Sequence, residues 1–167
     1  RGVNAIAYGA ELVAFLSTLG EEMRDQHSYP ESGFDPPYTT VHVGTMHGGT
    51  AQNIVPLNCT FSWEYRLMPG EDASEIRNRF RAHVDEVVLP KMHAVDTSTG
   101  IDTEVRAFVP GLAPEDGSPA EALVLALARK NTTEVVAYGT EAGQFQEAGN
   151  PAVVCGPGSI AQAHKPN

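Results

Sequence analysis

The chain has 167 residues, 41% of them hydrophobic and 19% charged, enough apolar material to bury a core in one ordinary domain or in two small ones. Eleven Lys and Arg against 21 Asp and Glu leave a formal charge of −10, a poor match for phosphate backbones, so nucleic acid is not expected as a partner. Cys59 and Cys155 stand far apart without Cys-x-x-Cys or Cys-His spacing, which speaks against a disulfide scaffold or a zinc finger and suits a reducing cytoplasm; no uncharged stretch reaches membrane-spanning length, so no membrane is expected either.

From Val3 to about Met23, Val3, Ile6, Ala7, Ala10 and Val13 recur at helical spacing with Leu12, Leu16, Leu19 and Met23 as a flanking row, which predicts an amphipathic helix with two apolar edges. Gln26 to Pro37 is rich in Ser, Gly, Asp and Pro and reads as a loop. Tyr38 to Met46 alternates loosely. Cys59 to Arg66 alternates strictly, which puts Cys59, Phe61, Trp63 and Tyr65 on one face of a strand and Glu64 and Arg66 on the other. Asp72 with Glu75 has the form of a capping box, opening a second helix whose buried stripe is Ile76, Phe80, Val84, Val87 and Val88 and whose length Pro90 limits. Thr103 to Val109 is a further β-like run, followed by the linker Ala113-Pro114-Glu115-Asp116-Gly117. The order α-β-β-α-β is that of a ferredoxin-like βαββαβ two-layer sandwich lacking its first strand, an α+β unit over residues 1–112.

After the linker the pattern becomes α/β. Ser118, Pro119 and Glu121 supply N-cap, N1 proline and N3 glutamate for a helix running to about Lys130. Val135-Val136-Ala137-Tyr138 and Ala152-Val153-Val154-Cys155, with a short helix near Glu141 to Ala148 between them, read as adjacent parallel strands, a βαβ strip over residues 113–167.

Such sheets place ligands at the carboxyl ends of their strands, here Gly139 to Gly143 and Gly156 to Ser159, with His164 just beyond. His164 reads either as a metal or catalytic group or as a surface or capping residue. Glu141 is either a ligand carboxylate or an ordinary helix-start acid. Between the first two strands, Asn53 sits after a glycine pair and before Pro56, in a flexible connection or aimed at a ligand. Arg66 forms an ion pair on the sheet surface or holds a carboxylate bidentately. His42 and His47, five apart on a regular strand, point to opposite faces and do not form a two-His metal site. Cys59 and Trp63 belong to a core or interface, Cys155 behaves as a small hydrophobe, and Gly-Pro-Gly-Ser lacks the Lys and spacing of a phosphate loop.

Together, Gly2-Val3-Asn4-Ala5-Ile6, Phe34 to Val41, Gly44-Thr45, Gly48-Gly49-Thr50-Ala51 with Asn53-Ile54-Val55-Pro56, and Phe61 to Arg66 closely resemble the lid domain of M20-type metallopeptidases, especially acetylornithine deacetylases. Gly139 to Gly149, and Cys155 to Ile160 through Ala163-His164-Lys165-Pro166-Asn167, resemble the end of their catalytic domain. The resemblance implies a cytoplasmic, homodimeric amidohydrolase of arginine biosynthesis that hydrolyses an N-acyl amino acid, N-acetylornithine, with two zinc (or cobalt) ions activating water. It implies a metal-ligand role for His164 and substrate-binding roles for Asn53, Arg66, Thr140 and Glu141. No catalytic residue is assigned in this chain. Matching positions for the general base, the other metal ligands and a lid histidine would lie upstream of Arg1, so the chain reads as part of a longer enzyme, inactive alone. Open alternatives are a non-catalytic dimerisation or interaction module of the same fold, and an M20 hydrolase acting on succinyl-diaminopimelate, acetylcitrulline or a peptide.

Overall fold

The computed structural model describes residues 2–156; His164 and the residues from Pro157 on lie outside the described residues. The fold is mixed α/β and divides into two compact units. One comprises Arg1–Ser28, Tyr38–Leu67 and Glu71–Arg106, the other Tyr29–Pro37, Met68–Gly70 and the chain from Ala107 on.

The first unit is a β-hairpin with helices packed on one face. Helix α1 (Ala5–Gln26) begins at Asn4, whose side chain accepts a hydrogen bond from the Ala7 amide at 3.1 Å and so satisfies one of the unpaired donors of the first turn. Its buried stripe is Gly9, Leu12, Leu16, Leu19 and Met23. Of the other predicted edge, Ile6, Ala7 and Ala10 stay exposed, because only the sides of α1 that meet the hairpin and the second helix are covered. Gly9 makes that approach close: a Cβ there would stand 2.6 Å from the Cys59 Sγ.

Strands β1 (Thr40–Gly48) and β2 (Cys59–Arg66) pair antiparallel from Thr40↔Arg66 to Gly48↔Cys59, with a bulge between Val43 and Thr45. Phe61, Trp63 and Tyr65 pack inward as expected, with the Trp63 and Phe80 rings 5.0 Å apart. The bulge overturns one expectation. The extra residue, Gly44, reverses the alternation, so His42 opposes Glu64 and His47 opposes Thr60, and both histidines lie on the exposed face. Four strand steps still separate those partners, about 13 Å, too far for the two imidazoles to share an ion.

Helix α2 (Ala73–His83) starts at Asp72, whose carboxylate accepts from the Ser74 amide (2.8 Å) and hydroxyl (2.7 Å). Those bonds hold the Asp72 carboxyl below its ordinary range. Pro90 does not end the rod. A π-helical turn, Val84–Val88, runs into α3 (Leu89–His93), with the Leu89 amide reaching back to the Val84 carbonyl. The wider turn accommodates the N–H that proline lacks, and the continuation adds Val88 and Met92 to the core, while Val87 turns outward. Leu12, Leu16, Phe80, Val84, Val88 and Met92 form the main cluster, with Leu19, Met23 and Ile76 beside it.

The seam between the antiparallel helices is polar at both ends and stacked in the middle. Lys91 pairs with Glu11, the Phe15 and His83 rings stack at 4.1 Å, and Arg79 donates to both carboxylate oxygens of Glu22 at 2.9 and 2.6 Å.

In the second unit, α4 (Pro119–Ala128) is capped by Ser118, whose Oγ accepts from the Glu121 amide at 3.2 Å. It stops at Arg129, in the left-handed region (φ 54°), short of the expected Lys130. A second helix, α5 (Ala142–Glu147), is tied down by Gln146, which bonds both the amide and the carbonyl of Ala113 at 2.9 and 3.0 Å. Thr103 to Val109, Val135 to Tyr138 and Ala152 to Cys155 are not strands, contrary to the sequence pattern. A strand exists through its neighbour's hydrogen bonds, and among the described residues none of these runs has a strand beside it.

Candidate functional site

The hairpin's two faces differ completely. The helix-facing side is aromatic and aliphatic; the opposite side carries Thr40, His42, Thr45 and His47 across from Arg66, Glu64, Ser62 and Thr60. Thr45 and Ser62 are joined by a hydroxyl–hydroxyl hydrogen bond across this face. Arg66, the last residue of β2, lies at one end of it. Its Nε donates to Glu64 Oε1 at 3.1 Å and its Nη2 stands 3.1 Å from the same oxygen, with both side chains more than half exposed. The alternation of β2 gives the reason, since residues two apart share a face. The surface ion pair considered for Arg66 is therefore present.

Asn53 lies beyond the other end of the hairpin. It occupies a turn closed by the Ile54 amide on the Ala51 carbonyl (3.3 Å), and the same loop is fastened to the start of α1 by the Ala5 amide on the Pro56 carbonyl (3.1 Å). Gly49 adopts φ 78°, with the Ile6 side chain against it, so the exit from β1 favours glycine. Ile54, Val55 and Leu57 are exposed around Asn53, Leu57 to 88%. Seven steps of β2, on the order of 20 Å, separate Arg66 from Cys59 at the end of the hairpin that carries the Asn53 loop. One copy of the hairpin thus does not bring them together.

Thr140 and Glu141 stand at the start of α5. The Thr140 Oγ1 accepts from the Ala142 amide at 3.1 Å, closing the turn into the helix, while the Glu141 side chain is exposed and makes no capping bond. Glu141 is thus at the helix start, where its charge suits the first turn. These residues belong to the second unit, Asn53 and Arg66 to the first, and His164 lies outside the described residues.

The sequence places Glu64 and Arg66 two residues apart on one face of β2, and that spacing is the signal for the pair. Burial beneath α1 pushes the Cys59 thiol up, away from the thiolate form. Among the described residues no three His, Cys, Asp or Glu side chains are grouped to hold a metal ion, and no helix is long and apolar enough to cross a membrane.

This hairpin under a pair of antiparallel helices is a peptidase dimerisation domain: the M20 family model of that description matches residues 1–92, more than half of the chain. The chain belongs to this M20 peptidase family. It is 36% identical over 141 residues to a protein named acetylornithine deacetylase from Myxococcus xanthus, covering 81% of this chain and 34% of that protein. It is 32% identical over 168 residues to the acetylornithine deacetylase of Photorhabdus laumondii, covering 100% of this chain and 41% of that protein. The chain therefore spans between one third and about two fifths of the length of these relatives.

Proposed function

We propose that this chain is the dimerisation and substrate-covering part of a cytoplasmic, homodimeric amidohydrolase that converts N-acetylornithine to ornithine and acetate in arginine biosynthesis. Identity of 32–36% to two acetylornithine deacetylases supports the substrate class. The observation that carries the reading is the polar outer face of the hairpin with its exposed Arg66, whose planar guanidinium suits a carboxylate. Asn53, with amide donors, would serve the reacting carbonyl, and Thr140 and Glu141 would line the pocket for the cationic ornithine side chain.

The distance between Asn53 and Arg66 supports a dimeric arrangement. A molecule the size of an acylated amino acid does not span one hairpin, whereas two copies offer Asn53 of one and Arg66 of the other to the same ligand. Each strand of the two-stranded sheet pairs on one side only among the described residues, leaving edges through which copies can join. Two zinc ions, or cobalt, would supply water activation and Lewis acidity in the whole enzyme, with His164 as one ligand. The described residues do not make up such a site. We expect this chain alone to bind no stoichiometric catalytic metal and to have no deacetylase activity.

The test is the longer protein assayed on N-acetylornithine against N-succinyl-diaminopimelate, with Asn53→Ala and Arg66→Ala made separately and then co-expressed. Preference for acetylornithine, with activity partly restored in mixed dimers, is the expected result. Preference for the succinyl substrate overturns the proposed specificity, and failure of the mixed dimers to regain activity overturns the shared site.

A further inference from the structure

The Glu64–Arg66 contact lies on the outer face but adds little to the fold. Both side chains are more than half exposed, and exposed ion pairs contribute little to stability. Its consequence is orientation. Arg66 ends a strand whose backbone is held from the inner side: Tyr65 donates its hydroxyl to the Ala73 carbonyl at 3.1 Å, and Trp63 lies against Phe80 and Tyr65 at ring distances of 5.0 and 5.7 Å. The Cα positions of residues 64 and 66 are thereby fixed by buried packing on either side of Tyr65. On that base a guanidinium still has several rotatable bonds, and immobilising it on a ligand carries an entropic cost. Glu64 reduces that freedom by accepting from Nε while standing 3.1 Å from Nη2, so two nitrogens of the fork converge on one carboxylate oxygen. His42 stands in register across from Glu64 on this face.

We propose that Glu64 is a positioning residue for Arg66, holding the guanidinium plane ready for the α-carboxylate of an N-acyl amino acid. This rests on the reading of Arg66 as the group that meets the substrate carboxylate. It adds the prediction that specificity for a free carboxylate depends on the Glu64–Arg66 pair and not on Arg66 alone.

The experiment uses the full-length enzyme with N-acetylornithine and its carboxamide analogue, comparing wild type, Glu64→Gln, Arg66→Ala and the double variant. Glu64→Gln keeps size and hydrogen-bonding capacity on an exposed site, so an unchanged melting temperature is the check on folding. The expected result is a KM for N-acetylornithine raised about fivefold by Glu64→Gln, the upper end for an exposed pair, with kcat within about twofold. The carboxamide should show no such change, and Glu64→Gln should have no further effect once Arg66 is Ala. If Arg66→Ala impairs the carboxylate substrate selectively while Glu64→Gln leaves KM unchanged or lowers it, the positioning role is overturned and the reading of Arg66 stands. If Arg66→Ala impairs both substrates equally, the reading of Arg66 fails, and the role of Glu64 with it.

Discussion

Two regions of similar hydrophobic content end up differently. The hairpin with its two antiparallel helices sequesters Leu12, Leu16, Leu19, Phe80, Val84 and Val88 almost completely. Helix α4, more apolar in sequence than either, buries none of its residues and exposes Leu123 and Leu127 to 60% and 75%. The difference lies in what each helix has to pack against. Helices α1 and α2 share a sheet whose inner face is aromatic, and they are joined along their seam by complementary charges. Apolar composition supplies a tendency to be covered; a fixed partner surface turns it into a core.

The strongest test of this contrast is a matched pair of truncations. Leu16→Ala, at a fully buried site, should cost about 2–5 kcal/mol, and Leu127→Ala, with the same chemistry at an exposed site, less than about 0.5 kcal/mol, both read by chemical denaturation. Equal losses would show that α4 is covered after all.

The second region has one rigid point. A Cβ on Gly143 would fall 2.1 Å from the Pro110 carbonyl oxygen, and that obstacle is backbone. Gly143→Ala should therefore displace α5 from the 110–113 segment at a cost of about 1–3 kcal/mol, seen as lost amide protection across Ala142–Glu147. Retained protection would mean that the segment shifts freely.

The smallest expected effect concerns the helix seam. The hydrogen bond from Arg79 lowers the Glu22 carboxyl below its ordinary 4.5. A depressed carboxyl stabilises the fold at pH values above its unfolded value, and that contribution is lost as the pH falls through the lower, folded value. Glu22→Gln should thus cost up to about 1 kcal/mol near neutrality and flatten the fall of unfolding free energy below about pH 4.5. An unchanged acid slope would assign that fall to Asp72 and Asp96, whose carboxyls are held low by Ser74 and Ser98.

Much of the fold was legible wherever the signal was local. The strict alternation of Cys59 to Arg66 corresponds residue for residue to β2, and Asp72 and Ser118 stand at the two helix starts where they were expected. The loose alternation before Met46 concealed a bulge, because a bulge is defined by the partner strand and leaves only Gly44 as its trace. Of the candidate site residues, Arg66 and Asn53 are exposed positions at opposite ends of the hairpin, and their separation was invisible until the loop and strand were laid out in space.

By itself, the sequence determined the helix periods, the caps, the acidic character and the likeness to the M20 dimerisation family, all properties of short segments or of composition. The tertiary structure decided which stripe of α1 is buried, that the helix continues past Pro90, and that His42 and His47 share a face. It also decided that three β-like runs do not become strands. Each of these depends on a neighbour distant in sequence or on the exact backbone path, and a side chain's local preference carries no record of either.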